Sequence, residues 1–88
     1  MKVIKRDGRE VEYDRNKIAI AIEKANDGVD AVERISEDKI YNIIAGIEAR
    51  GLNTMHVEDI QDTIEEKLMA EKKFALAKAH RLSKISKI

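Results

Sequence analysis

Residues 3–18 read VIKRDGREVEYDRNKI and predict a β-hairpin followed directly by the start of a helix. Asp7-Gly8 is a dipeptide typical of two-residue type I′ turns, because both central positions of that turn need positive φ. The residues on either side alternate between apolar and polar, as short strands do. The stretch therefore predicts two strands joined at Asp7-Gly8.

The hairpin is predicted over residues 2–13, with Ile4 opposite Val11 across the two-residue turn. An isolated two-stranded hairpin is barely stable in water, so this one must pack on the rest of the chain. We expect the packing contacts to come from one face of the hairpin, which carries Ile4, Val11 and Tyr13.

Asp14 follows the hairpin and is predicted to cap the first helix, accepting the free backbone N–H of Asn16 or Lys17. Apolar residues then recur at helical spacing: Ile18, Ala21, Ile22 and Ala25. Lys17 is a cation in a first helical turn, where the macrodipole favours anions. With the first-turn amides and with Lys5 and Arg6 of the hairpin, it would form an anion site if the hairpin folds over the helix end. The alternative is that Lys17 is one solvated lysine in a chain that is 39% charged.

Length and composition limit the class of protein. The 88 residues predict a single domain, residues 1–88, with one modest core. Seventeen basic and seventeen acidic side chains give no net charge, so we expect neither nucleic acid nor a membrane surface as a partner. The absence of cysteine excludes disulfides and thiolate metal sites. No apolar run reaches the length of a membrane span and no signal peptide is present, so we expect a cytoplasmic protein.

Two further helices are predicted in the middle of the chain. Ser36 is the cap of the second helix, which has one apolar stripe: Ile40, Ile43, Ile44 and Ile47. The third helix begins near Val57, with Thr54 or His56 as its cap.

A fourth helix is predicted over about residues 74–87, with its inner side at Leu76, Ala79, Leu82 and Ile85. Neither glycine nor proline separates the third and fourth helices, so a break at residues 71–73 and one long helix both remain open. Burying these apolar faces requires a bundle. The fold class is therefore α+β and mostly helical, with an N-terminal β-hairpin lid packed on about four helices.

Catalysis is not expected. His56 and His80 lack the i, i+4 spacing of a zinc pair, and no metal site is predicted. Ser36 is explained by helix capping and has no histidine and acid arranged as a triad around it. The chain also lacks a P-loop.

The pattern V-x-K-R-D-G, followed by a capped x-x-K-I, resembles the opening of the ATP-cone family, the nucleotide-sensing domain of many ribonucleotide reductases. The later stretch VEDIQDTIEEKL, residues 57–68, resembles the third helix of that family. The start KVIKRDG is most similar to the anaerobic, class III reductases. The resemblance implies a small β-sheet over a four-helix bundle, with the nucleotide held between them. A third strand would have to come from a segment to which no structure is assigned above.

The resemblance also implies roles for particular residues. Val3 and Asp14 would lie beside the adenine, and Lys5, Arg6 and Lys17 would bind phosphates. Other positions depart from the family pattern. Where the third helix of other members has a threonine and a histidine, this chain has Val57 and Gln61, and where the last helix commonly has an aromatic residue and an arginine, it has His80 and Lys84.

The function that this resemblance implies is allosteric binding of ATP or dATP, with Mg²⁺ on the phosphates, in control of deoxyribonucleotide synthesis. The catalytic core would lie C-terminal to the domain or act in trans, and nucleotide could change subunit association. Two alternatives remain open. A transcriptional repressor with an ATP-cone is disfavoured by the missing cysteines of a zinc ribbon, and a helical interaction module would bind no ligand.

Overall fold

The computed structural model describes the backbone of residues 1–87 and the side chains of residues 1–81. It has a small sheet against four helices, which confirms the predicted α+β, mostly helical fold. A short 3-10 turn over Ala31–Glu33 connects the first two helices. The elements are β1 (Lys2–Ile4), β2 (Glu10–Glu12), α1 (Arg15–Asp27), α2 (Glu37–Glu48), β3 (Thr54–His56), α3 (Val57–Ala70) and α4 (Phe74–Lys87).

The hairpin forms, but its predicted register is wrong by one residue. Val3, and not Ile4, is paired with Val11. The backbone N–H of Lys5 donates to the carbonyl of Arg9 at 2.8 Å, so the loop between them has three residues. Only Gly8 of that loop has positive φ, at 89°, and three-residue hairpin loops of this kind need just one left-handed position.

The shifted register decides which face of β1 is buried. Because side chains alternate along a strand, moving the pairing by one residue exchanges the two faces. Val3 is 7% exposed and belongs to the core, with Val11 and Tyr13 packed against the same cluster. The predicted contact through Ile4 is replaced by one through Val3.

A third strand, absent from the sequence prediction, pairs in parallel with β1. Met55 lies opposite Val3 and is 3% exposed, so the middle residues of both strands face the bundle. Thr54 is part of this strand and does not cap α3. His56 stands at the cap position, but its side chain makes no capping hydrogen bond. This strand is as short as β1 and β2, but no turn dipeptide marks it, because its partner lies 52 residues earlier in the chain.

The helices bury the stripes that their spacing predicts. Asp14 caps α1 by accepting the Asn16 N–H at 3.0 Å, and Ser36 caps α2 by accepting the Lys39 N–H at 3.3 Å. Helices α3 and α4 are separate, with Lys72 between them at a φ of 60°. The predicted inner positions Leu82 and Ile85 lie outside the described side chains. Among the residues described, no helix is long and apolar enough to cross a membrane. The largest fully buried aliphatic side chains are Ile22, Ile40, Ile44, Ile47, Ile60, Ile64, Leu68 and Leu76.

Asn26 fastens the connector after α1 to the end of that helix. Its side-chain Nδ2 donates to the Ile35 carbonyl at 2.9 Å, and its Oδ1 accepts the Ile35 N–H at 3.0 Å. The amide thus satisfies both backbone groups of Ile35, whose side chain is buried. This contact positions the start of α2 relative to α1.

Truncating Leu68 will strongly destabilise the domain. Leu68 is fully buried, and Leu68→Ala leaves a cavity, so we expect a loss of about 2–5 kcal/mol in the free energy of unfolding. Met69→Ala, one residue later at a side chain 49% exposed, is the control and should change it by no more than about 0.5 kcal/mol. Urea unfolding measures both, and equal losses would contradict the described core.

Replacing the Asn26 amide with a carboxylate will also destabilise the fold. Asn26→Asp keeps the acceptor for the Ile35 N–H but removes the donor to its carbonyl and places a negative charge beside that oxygen. We expect a loss of about 1–3 kcal/mol. Asn42→Asp, at an exposed position of α2, is the matched control. Thermal melts that showed the two variants to be equally stable would refute the bridging role of Asn26.

Candidate functional site

A narrow cleft separates the sheet from the bundle, and four of the predicted site residues line it. Its volume is about 60 Å³. Two strands of the sheet, α1 and α3 all contribute to its walls. The lining residues are Val3, Lys5, Val11, Glu12, Tyr13, Asp14, Lys17, Ile18 and Ile60. We call it the inner cleft.

Lys5 and Lys17 reach the inner cleft from different elements. Lys5 follows β1, and Lys17 lies in the first turn of α1. Neither makes an ion pair or a side-chain hydrogen bond with any other residue in the described part of the chain. Lys5 is half-buried, whereas Lys17 is exposed. The cleft therefore has two cations without an ion-pair partner among the described residues, although Glu12 and Asp14 also line it.

Asp14 already occupies part of the helix end beside these lysines. Its carboxylate accepts the Asn16 N–H at 3.0 Å, and its backbone carbonyl accepts the Lys17 N–H at 3.2 Å. The sequence predicts that first-turn amides contribute to an anion site, and two of these amides have partners within the protein. The positive charge that lines the inner cleft therefore comes mainly from the side chains of Lys5 and Lys17.

A wider cleft of about 370 Å³ lies on the other side of the hairpin turn, next to the start of α3. Lys5 lines both clefts, so they meet at this residue. We call the wider one the outer cleft. Its lining is Ile4, Lys5, Arg6, Gly8, His56, Val57, Glu58 and Asp59.

Arg6 lies in the outer cleft and is bound to α3. Its Nε donates to Oε1 of Glu58 at 3.1 Å, and its Nη2 donates to Oε1 of Gln61 at 3.2 Å. Gln61 is fully buried, and its Nε2 has no hydrogen-bond partner among the described residues. Val57 is 2% exposed and contributes packing. Arg6 is thus the one predicted cation of the three that the fold already pairs with an acid.

Beneath Gln61, a buried polar layer joins α3 to α4. Glu65 is 2% exposed; its Oε1 accepts a hydrogen bond from Nε of Arg81 at 2.9 Å and lies 2.8 Å from Nη2 of the same guanidinium. His80 is fully buried, with Nδ1 3.6 Å from Oε2 of Glu65. The Lys84 side chain, which was predicted to lie nearby, is outside the described residues.

Glu65 and Arg81 are not among the residues that the sequence predicts for this site. A signal for Glu65 was present, because it stands four residues after Gln61 and eight after Val57, on one row of α3. A buried carboxylate needs a partner, and Arg81 supplies it from the neighbouring helix. No spacing rule connects residues on two different helices.

Tyr13 ties the sheet side of the inner cleft to α2. Its hydroxyl donates to Oε2 of Glu48 at 2.7 Å, and the same carboxylate oxygen is 3.2 Å from Nε of Arg15. Burial, together with the hydrogen bond to Glu48, raises the pKa of Tyr13 well above its ordinary value. The phenol therefore stays protonated and acts as a donor that holds β2 near the end of α2.

A larger cleft, about 430 Å³, lies elsewhere, between α2 and α3. Lys39, Lys67 and Glu71 line it, and Lys39 is ion-paired with Glu71. None of the predicted site residues contributes to it. Choosing a binding site by volume alone would therefore select this cleft, and not the inner and outer clefts, where the predicted cations Lys5, Arg6 and Lys17 lie.

No group of three or more histidine or acidic residues in the described part of the chain could hold a metal ion. A divalent cation at this site would need phosphate oxygens and water as its main ligands.

Comparison with known proteins assigns the family. None of the curated proteins matches the chain. The family model described as the ATP cone domain matches residues 1–84, which include both clefts and the buried layer between α3 and α4. The chain therefore belongs to the ATP-cone family of nucleotide-binding regulatory domains, which are not catalytic and bind ATP or dATP as effectors.

Proposed function

We propose that the two clefts together form the ATP or dATP site of this domain. The observation that carries the proposal is the convergence of Lys5 and Lys17 on one cleft, where neither is ion-paired with any residue in the described part of the chain. A triphosphate carries about four negative charges, and cations held by two rigid elements can bind it with little reorganisation. The proposed site residues are Val3, Lys5, Arg6, Asp14, Lys17, Val57, Gln61 and Lys84.

The base of the nucleotide suits the inner cleft, and its terminal phosphates suit the outer cleft. Val3, Ile18 and Ile60 give the inner cleft the apolar walls that a base needs. The outer cleft is wider and contains Arg6, so it suits the terminal phosphates, whereas Lys17, which lines the inner cleft, would contact the phosphate nearest the base. Lys5 stands where the clefts meet and would contact the nucleotide between its base and its terminal phosphate.

The inner cleft must widen to admit a base. Its volume of about 60 Å³ is far below the roughly 300–1,000 Å³ of typical ligand pockets. A short sheet held by few contacts can shift more easily than the helices, and Tyr13 to Glu48 is one of the contacts that resist the shift. Binding would therefore move the sheet relative to α1, which gives the domain a structural response to report.

The proposed biological setting is regulation of a ribonucleotide reductase, with residues 1–88 as a single domain in the cytoplasm. The class III assignment rests on the resemblance of the first residues. The domain would act on a catalytic core, C-terminal or in trans, and Mg²⁺ would accompany the triphosphate. Regulation requires ATP and dATP to bind two states of that assembly with different affinity, either by moving the core or by changing subunit association.

Removing the two unpaired cations will abolish most of the nucleotide affinity. In Lys5→Gln with Lys17→Gln we expect ATP and dATP to bind at least about tenfold more weakly, because each charged contact is worth about 1.5–3 kcal/mol. Calorimetric titration measures the affinity. Lys24→Gln, at an exposed position near the end of α1, is the control and should bind as the original chain does.

The same titration on the unaltered chain tests the proposal itself. Absence of binding heat with both nucleotides at millimolar concentration, together with an unchanged melting temperature, would refute it. Equal loss in the Lys24 variant would show that general charge, and not this site, is responsible.

A further inference from the structure

Arg6 is held by α3 in a way that competes with phosphate. Glu58 and Gln61, three residues apart on one face of α3, accept hydrogen bonds from Nε and Nη2 of the guanidinium. These two bonds use part of the donor fork with which an arginine binds a phosphate. A phosphate in the outer cleft would meet an arginine whose charge is already neutralised.

We propose that Glu58 is an internal competitor of the nucleotide: it occupies Arg6 in the unliganded domain and is exchanged for a phosphate when the nucleotide binds. This inference rests on the proposed function, because it requires that a nucleotide phosphate reach Arg6. Its consequence is that Glu58 lowers the affinity for the effector.

The ion pair between Arg6 and Glu58 can be broken easily because both side chains are accessible to water. The side chains of Arg6 and Glu58 are 41% and 61% exposed, so neither charge must be desolvated to separate them. A phosphate group carries more negative charge than a carboxylate and accepts bidentate bonds from arginine, so it displaces Glu58. Gln61 is fully buried, and its bond to Nη2 keeps Arg6 beside the outer cleft when Glu58 releases it.

Asp59 gives a matched control for the electrostatic effect of Glu58. It is the next residue of α3, lines the same outer cleft and makes no ion pair with Arg6. Both acids stand in the first turn of α3, where the helix dipole acts on each. Glu58→Gln and Asp59→Asn therefore each remove one negative charge from the outer cleft, but only Glu58→Gln releases Arg6.

The test is a titration of these two variants with ATP in the presence and absence of Mg²⁺. We expect Glu58→Gln to bind about fivefold more tightly than the original chain, and Asp59→Asn, which reduces repulsion without releasing Arg6, to gain less than about twofold. In the background of Arg6→Gln, the additional Glu58→Gln change should alter the affinity by less than about twofold, because no arginine remains to be released.

Several outcomes would overturn the inference and not the proposed function. Equal gains in the Glu58 and Asp59 variants would mean that general repulsion limits binding, and a gain that persists without Arg6 would have the same meaning. If Glu58→Gln binds ATP more weakly than the original chain in the presence of Mg²⁺ but not in its absence, Glu58 instead helps to hold the metal ion. Failure of the unaltered chain to bind ATP would instead refute the proposed function.

Discussion

The position of β1 in the middle of the sheet is the constraint on which the site depends. β1 pairs with β2 on one side and with β3 on the other. β3 leads directly into α3, and β2 leads through Tyr13 and Asp14 into α1. The backbone hydrogen bonds of three short strands thereby hold the hairpin turn against the first turns of two helices. Lys5 reaches both clefts and Arg6 the outer one because the chain turns immediately after β1.

The sequence predicts the parts of this structure that local physical rules control. Asp14 and Ser36 are identified as caps because their side chains satisfy amides within three residues, and the stripes of α1 and α2 follow from helical spacing. The register of the hairpin was missed because Asp7-Gly8 fits two turn types, and only the three-residue loop buries Val3 against Met55. Strand β3 was missed because its pairing with β1 joins residues 52 apart in the chain.

Some residues of the candidate site can likewise be predicted from the sequence, whereas others require the tertiary structure. Lys5, Arg6 and Lys17 could be selected from their spacing around a helix start, together with a family resemblance. The pairing of Arg6 with Glu58 and Gln61 could not be, because it depends on how α3 packs beside the hairpin. The buried Glu65 with Arg81 depends likewise on the packing of α3 against α4. Contacts between elements require the tertiary structure, and in this domain they distinguish the neutralised cation from the two unpaired ones.

The charge arrangement suits a sensor better than a storage site. In the proposed site, two unpaired lysines would attract the polyphosphate, while a carboxylate occupies the arginine that would otherwise strengthen phosphate binding. Such a balance would lower the affinity below the value that three unpaired cations would give. The small inner cleft adds a structural cost, since the sheet must move before a base can enter.

The sharpest test of where the nucleotide binds is to follow the backbone amide chemical shifts by NMR during a titration with ATP. If ATP binds between the sheet and the bundle, the largest changes will fall on residues 3–8, 13–18 and 54–61, around the two clefts beside β1. Changes concentrated instead at Lys39, Asn42, Lys67 and Glu71, around the larger cleft between α2 and α3, would contradict it.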